Sequence, residues 1–296
     1  MEHAKNITAP SDEVMRIDLD EVLKSRAPRY RKFIPRFIVR WLERVICQDE
    51  MNHMLEVCRG KRDAEFCRGV LEHLDITVGV RGMTNLPPRD HRRVTVVSNH
   101  PLGGLDGMAL IDWAVAYWGG GVKFVVNDLL MAIEPLSGTF IPINKHGAQS
   151  RRASSLLDET MAGDNPVIVF PAGLVSRRGA DGTIRDLEWQ KMFVNKSVKY
   201  GRDVIPVHFD GHNSAFFYKF ARLRTRLGLK FNIEMVRLPG EVFRCRGAHF
   251  TITIGKMIPW HELESGAGAR AEAERIKALV YSLAPAGEVV EPSRDK

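Results

Sequence analysis

Apolar residues between Phe33 and Ile46 recur at i, i+1, i+4 and i+5: Phe33, Ile34, Phe37, Ile38, Trp41, Leu42, Val45 and Ile46. That spacing marks one face of a helix. Pro35 fits its first turn, where a missing N–H leaves no bond unmade. Arg36, Arg40, Glu43 and Arg44 fall on the other faces, and Arg29, Arg31 and Lys32 lie just upstream. Helical periodicity continues through residues 50–59 and 63–74, and then the period changes. Short apolar runs at Ile76–Val80, Arg93–Ser98, Val122–Val126, Thr139–Ile143, Val167–Phe170, Val204–Phe209, Ile233–Arg237 and Phe250–Ile254 read as strands. Helical patterns lie between them at Leu105–Trp118, Ala153–Met161 and Ser214–Leu227, and a last one follows at Ala269–Ser282. Gly119-Gly120-Gly121 stops the first of these.

Strands alternating with helices predict a layered α/β domain with a mostly parallel central sheet. The expected organisation is a helical, membrane-associating extension over 1–75 with amphipathic helices, one domain over 76–285, and a polar tail over 286–296. No internal repeat divides the chain.

Composition narrows the class. With 44% hydrophobic and 27% charged residues over 296 positions, disorder and a polytopic membrane protein are excluded. The formal charge of +7 attracts anionic partners of any kind. The four cysteines, Cys47, Cys58, Cys67 and Cys245, form no CxxC pair and read as reduced thiols. The first ten residues lack the apolar core of a signal peptide. The apolar stretch from Met108 to Trp118 falls short of the ~20 residues a membrane span needs. The expected location is therefore cytoplasmic, on the inner face of the cell membrane. The basic helix around Trp41 has two readings: a helix lying in the membrane interface, or one docked on the core with a solvated polar side.

The segment Val94–Asp106, VTVVSNHPLGGLD, carries the chemistry. An apolar strand runs out into Asn99 and His100, a Pro-Leu-Gly-Gly turn follows, and Asp106 opens a helix. Ligands of open α/β sheets bind at such strand ends. An Asp beside a His can fix its tautomer and leave the other ring nitrogen as a general base. Asp106 also suits a plain helix cap.

These residues resemble the glycerolphosphate/lysophosphatidate acyltransferase family, in particular its hemolysin-like branch. That family's first block is Asn-His followed, after four residues, by Asp. Here Asn99-His100 and Asp106 are separated by five. The second block, G-x-x-F-I-x-R, is similar to Gly138-Thr139-Phe140-Ile141-Pro142-Ile143, with Lys145 near the place of the Arg. The third, F-P-E-G-T-R-S, is similar to Phe170-Pro171-Ala172-Gly173-Leu174-Val175-Ser176-Arg177, with Ala172 in place of Glu. The fourth is similar to Val204-Ile205-Pro206-Val207. Four blocks in order cover about residues 94–211.

The resemblance implies acyl transfer from an acyl thioester, carried by acyl carrier protein or coenzyme A, to a hydroxyl of a lyso-lipid at an anionic membrane surface. His100 would be the base and Asp106 its orienting partner. Asn99, Lys145, Gly173, Ser176, Arg177, Arg178 and Lys191 would bind substrate, with backbone N–H groups near Gly173 facing the oxyanion. No metal or other cofactor is required. Ala172 leaves the acceptor divided between a lyso-aminolipid of lyso-glycine or lyso-ornithine type, the favoured one, and lysophosphatidate. In either case arginine would hold the anionic head.

Other features admit plainer readings. The basic-aromatic run Phe216–Lys230 fits anionic lipid, an acidic carrier protein, or a surface helix with snorkelling side chains; no nucleic-acid fold accompanies it. The His208, Asp210, His212 cluster has poor spacing for a metal. A non-enzymatic membrane-binding protein has no use for a base at a strand end. The lack of a G-x-S-x-G elbow argues against an ordinary esterase.

Overall fold

The computed structural model describes residues 15–26, 28–143, 148–228 and 232–284. Five helices lead: α1 (Leu19–Arg26), α2 (Pro28–Arg31), α3 (Arg36–Val45), α4 (Gln48–Val57) and α5 (Asp63–His73). The strands are β1 (Thr77–Arg81), β2 (Val94–Ser98), β3 (Lys123–Asn127), β4 (Phe140–Ile143), β5 (Val167–Val169), β6 (Arg177–Arg178), β7 (Ile184–Arg185), β8 (Asp203–Phe209) and β9 (His249–Ile254). The remaining helices are α6 (Leu105–Trp118), α7 (Ala148–Ala162), α8 (Met192–Tyr200), α9 (Ala215–Arg226), α10 (Leu238–Arg244) and α11 (Ala269–Ser282).

Every residue of β2 and β8 is buried, as expected of parallel strands covered on both faces. The sheet order is β1-β9-β8-β2-β5-β3-β4. β8, β2, β5, β3 and β4 are mutually parallel; β9 runs antiparallel to β8 and carries β1 parallel to itself. Side-chain alternation divides the core into two layers. Val94 and Val96 point to the layer holding Met54 and Leu55 of α4, Phe66 and Val70 of α5, and Leu110 of α6. Val97 points to the opposite layer with Met161 of α7, Phe193 of α8 and Ile276 of α11. α4 and α5 thus belong to the main core. Arg202, fully buried, pins the end of the sheet where β2 begins by donating to Val94 O at 2.7 Å and Gly163 O at 2.7 Å.

The sequence reading needs one change of element. Residues Ile233–Arg237, read as a strand, form a 3-10 turn leading into α10. Glu234 in that stretch is buried between two arginines and has no sheet neighbour. α8, α10 and the small antiparallel β6–β7 ribbon were not anticipated. No helix among the described residues is long and apolar enough to cross a membrane.

Candidate active site

β2 delivers Asn99 and His100 at its carboxyl end, between the ends of β5 and β8. Asn99 spends its amide on the neighbouring strand: Nδ2 donates to Phe209 O at 2.9 Å, and Oδ1 accepts from Phe209 N at 2.7 Å. It thereby extends the β2–β8 ladder by one residue, and its side chain holds the turn.

The turn after Asn99 folds back so that Asp106 Oδ2 lies 2.8 Å from His100 Nδ1. The five intervening residues are accommodated by the turn itself. Leu102 N donates to Asp106 Oδ2 at 2.9 Å, and Gly107 N to Asp106 Oδ1 at 2.9 Å. Gly103 takes φ +83, which a side chain would resist. Asp106 is fully buried. Burial by itself raises its carboxyl, but the His100 charge, the ring hydrogen bond and the two backbone N–H donors outweigh it. The net effect holds Asp106 below the ordinary carboxylate range. A carboxylate ionised there accepts a hydrogen bond from Nδ1–H, which favours the tautomer with its lone pair on Nε2. The imidazole stacks on Phe170, with ring centroids 4.0 Å apart.

A second carboxylate, Asp186, was not singled out in the sequence. Its Oδ1 accepts from His100 N at 3.2 Å and from Ser176 Oγ at 2.6 Å; its Oδ2 accepts from Trp189 Nε1 at 2.9 Å. Ser176 N closes the clamp by donating to His100 O at 2.8 Å. Both backbone groups of His100 are thus held by residues distant in sequence. Burial raises the Asp186 carboxyl, against the hydrogen bonds from Ser176 and Trp189 that lower it.

The other sequence candidates fall around this point. Gly173 takes φ +64 and its N–H donates to Phe170 O at 3.0 Å, so that N–H is spent within a turn. Ala172 packs on the α8–α11 side of the core. Arg177 pairs with Glu234 at 2.8 Å, and Arg224 approaches the same carboxylate at 2.8 Å. Two guanidinium groups thus flank one buried carboxylate, one residue from Ser176. Arg178 and Lys191 are exposed. Arg178 Nε donates to Gly182 O at 3.1 Å, and Lys191 stands just before α8 with no side-chain capping bond. Lys145 lies outside the described residues.

A mostly parallel α/β sheet with a His–carboxylate pair at the end of its central strand defines an α/β enzyme. The chain belongs to the acyltransferase family, whose profile, described as Acyltransferase, matches residues 21–288. It is an enzyme that transfers acyl groups. It is 43% identical over 280 residues to the lyso-glycine lipid O-acyltransferase of Phocaeicola vulgatus, covering 94% of this chain and 99% of that one. It is 43% identical over 272 residues to the lyso-glycine lipid O-acyltransferase of Bacteroides thetaiotaomicron, covering 92% and 99%. Among solved structures, the 1-acyl-sn-glycerophosphate acyltransferase PlsC of Thermotoga maritima superposes with a TM-score of 0.45 at 17% identity, covering 83% of this chain and 92% of that one.

Proposed function

We propose that this chain moves an acyl group from an acyl thioester onto the hydroxyl of a lyso-aminolipid, with a lyso-glycine lipid as the acceptor. The observation that carries the chemistry is His100 Nδ1 at 2.8 Å from the buried Asp106. The relatives named for lyso-glycine lipid support the choice of acceptor.

The acceptor hydroxyl attacks the thioester carbonyl while His100 Nε2 takes its proton. A C–O bond forms and the carbonyl becomes a tetrahedral oxyanion. Asp106 holds the imidazolium by charge, in the logic of a triad without a protein nucleophile. Collapse breaks the C–S bond, and the leaving thiolate takes the proton back from His100. A base of this kind contributes ~10²–10⁴-fold. Arg177, next in sequence to the Ser176 that clamps His100, suits the acceptor's carboxylate. Acyl carrier protein or coenzyme A supplies the thioester.

The acyltransferase domain works from the inner face of the cell membrane, which α3 touches. Phe33, Phe37 and Trp41 are 85%, 72% and 58% exposed, and Arg36, Arg40 and Arg44 are exposed beside them. Aromatic rings next to arginines on one exposed side fit a helix lying in the headgroup layer. The membrane-associating part of 1–75 is then Phe33 with α3, since α4 and α5 sit in the main core and Met15 and Ile17 pack on it.

The test is the purified chain with acyl-carrier-protein and acyl-coenzyme A thioesters. Acceptors are lyso-glycine lipid, lyso-ornithine lipid, lysophosphatidate and none, read by mass spectrometry. The expected result is O-acylated glycine lipid, reduced at least ~100-fold by His100→Ala. Acylation of lysophosphatidate with none of either lyso-aminolipid overturns the acceptor. Free fatty acid with no acylated product overturns the transfer.

A further inference from the structure

Between β8 and β9 the chain leaves the sheet for α9, a 3-10 turn and α10. α9 buries Phe217, Tyr218 and Ala221. Its opposite side presents Phe216, Phe220, Leu223 and Leu227, spaced i, i+4, i+7 and i+11, one narrow stripe on a helix. Phe216, Leu223 and Leu227 are 54%, 53% and 64% exposed, and Phe216 stacks on Phe220. Lys219, Arg222 and Arg226 run along one border of the stripe. Ile233 and Val236 in the following turn are exposed as well. An apolar stripe this continuous marks an interaction surface, unlike scattered single residues.

Its position ties it to α3 and to the catalytic turn. The guanidinium of Arg237 lies over the Phe216 ring, 4.5 Å from its centroid. Gly240 of α10 lies against the carboxyl end of α3: a Cβ there would sit in ordinary contact with Cys47 Sγ, at 3.6 Å. α10 therefore lies between the start of α9 and the carboxyl end of α3. Inward, Asn213 Nδ2 donates to Pro101 O at 3.0 Å. The N-cap residue of α9, Ser214, is held by Glu241 of α10, its N–H donating at 2.7 Å. Leu238 of α10 packs on Gly103.

We propose that the α9–α10 excursion is a second membrane contact. The apolar stripe of α9 enters the acyl-chain boundary, and Lys219 and Arg226 meet anionic headgroups. The occupant is an anionic bilayer, on the ground of charge complementarity: the border of the stripe is basic, and so is the exposed side of α3. This rests on the reading that the acceptor is a membrane lipid. Two contacts flanking one turn let a lyso-lipid pass from the leaflet to His100 with its hydroxyl foremost and its acyl chain still in the bilayer. They explain why the excursion is bonded to Pro101 and packed on Gly103, where a free surface helix needs neither.

The experiment is sedimentation of the full chain with vesicles of phosphatidylcholine containing 30% phosphatidylglycerol, and with phosphatidylcholine alone. Leu223→Glu with Leu227→Glu is expected to weaken binding to the anionic vesicles about tenfold or more. Lys219→Gln and Arg226→Gln are expected to weaken it roughly fivefold each, only on anionic vesicles and only at low salt. Leu223→Phe, which keeps the apolar stripe, is expected to bind as the parent does. Unchanged melting temperatures separate these effects from misfolding. Vesicle binding that none of the α9 variants alters overturns the proposal. So does binding that stays intact while the KM for acyl-carrier-protein thioester rises, which assigns the surface to the carrier protein. If the α9 variants lose vesicle binding but the parent acylates no lipid, the surface stands and the functional reading falls.

Discussion

Two buried carboxylates bracket His100 in different ways. Asp106 bonds the ring and is held ionised by the charge and donors around it. Asp186 touches only the backbone N–H of His100, at 3.2 Å, and its burial works against its ionised form. Asp186 is therefore a positioning residue, acting through the placement of the His100 backbone. Asp186→Asn keeps one oxygen for the N–H of His100 and the hydroxyl of Ser176, but turns an amide N–H₂ toward the Trp189 N–H. The expected result is a folded enzyme whose kcat falls ten- to a hundredfold, since displacements on the order of 1 Å cost about that much. KM for the acyl thioester should stay within about twofold, the pattern of an interaction felt mainly in the transition state. A rise in KM at unchanged kcat would place Asp186 in substrate binding instead. His100 and Asp106 were legible because they lie six positions apart on one turn. Asp186 lies 86 residues from His100, and only the fold brings it there. The same holds for Arg177: its sequence position says nothing of Glu234, 57 residues on, which occupies one side of its guanidinium.

At the scale of elements, the strands flanking the site were readable because parallel strands buried on both faces are continuous apolar runs. The stretch Ile233–Arg237 is also a short, largely apolar run, yet the carboxylate of Glu234 within it is held by two arginines, and Pro239 starts a helix right behind it. A run this short cannot tell the two apart. α10 then matters to the catalytic turn. A Cβ on Gly103 would lie 2.8 Å from both Leu238 Cδ1 and Val175 Cγ2, while one on Gly173 would meet nothing within 4 Å. Both glycines have positive φ, so both lose from alanine substitution on backbone grounds, about 1–2 kcal/mol. Gly103→Ala must in addition displace the side chains of Leu238 and Val175. It is expected to lower the melting temperature by several degrees more than Gly173→Ala does, each kcal/mol being worth about 2–4 °C in a chain of this size. Equal shifts would mean that the 101–106 turn moves freely against α10.

For the molecule as a whole, the seven strands of the main sheet were legible but their order was not. Which strand lies beside β2 depends on crossovers that place β5 on one side and β8 on the other, and local patterns carry no record of that. One consequence of that order is the burial of His208 on β8, facing the Tyr281 ring of α11 at 5.9 Å. Its Nδ1 has no hydrogen-bond partner among the described residues, and burial pushes its pKa down from 6.5 to about 4. The unfolded chain therefore takes up this proton near pH 6.5, and the folded chain only near pH 4. Stability from this group is complete above pH 6.5 and falls as the pH drops toward 4. The full drop is roughly 3 kcal/mol, at about 1.4 kcal/mol per pH unit. Asp106, held below 3.8, adds a further loss at still lower pH, while Asp186, raised above it, works in the opposite sense. His208→Phe isolates the histidine: it keeps the ring contact and removes the titrating atom. Urea unfolding at pH 7 and pH 4.5 should show the parent losing roughly 2–3 kcal/mol more than the variant over that interval. The variant should be at least as stable as the parent at pH 7, because an unpartnered buried nitrogen has been replaced by carbon. Equal losses in the two proteins would show that His208 reaches solvent, and that the packing of α11 on β8 is looser than described.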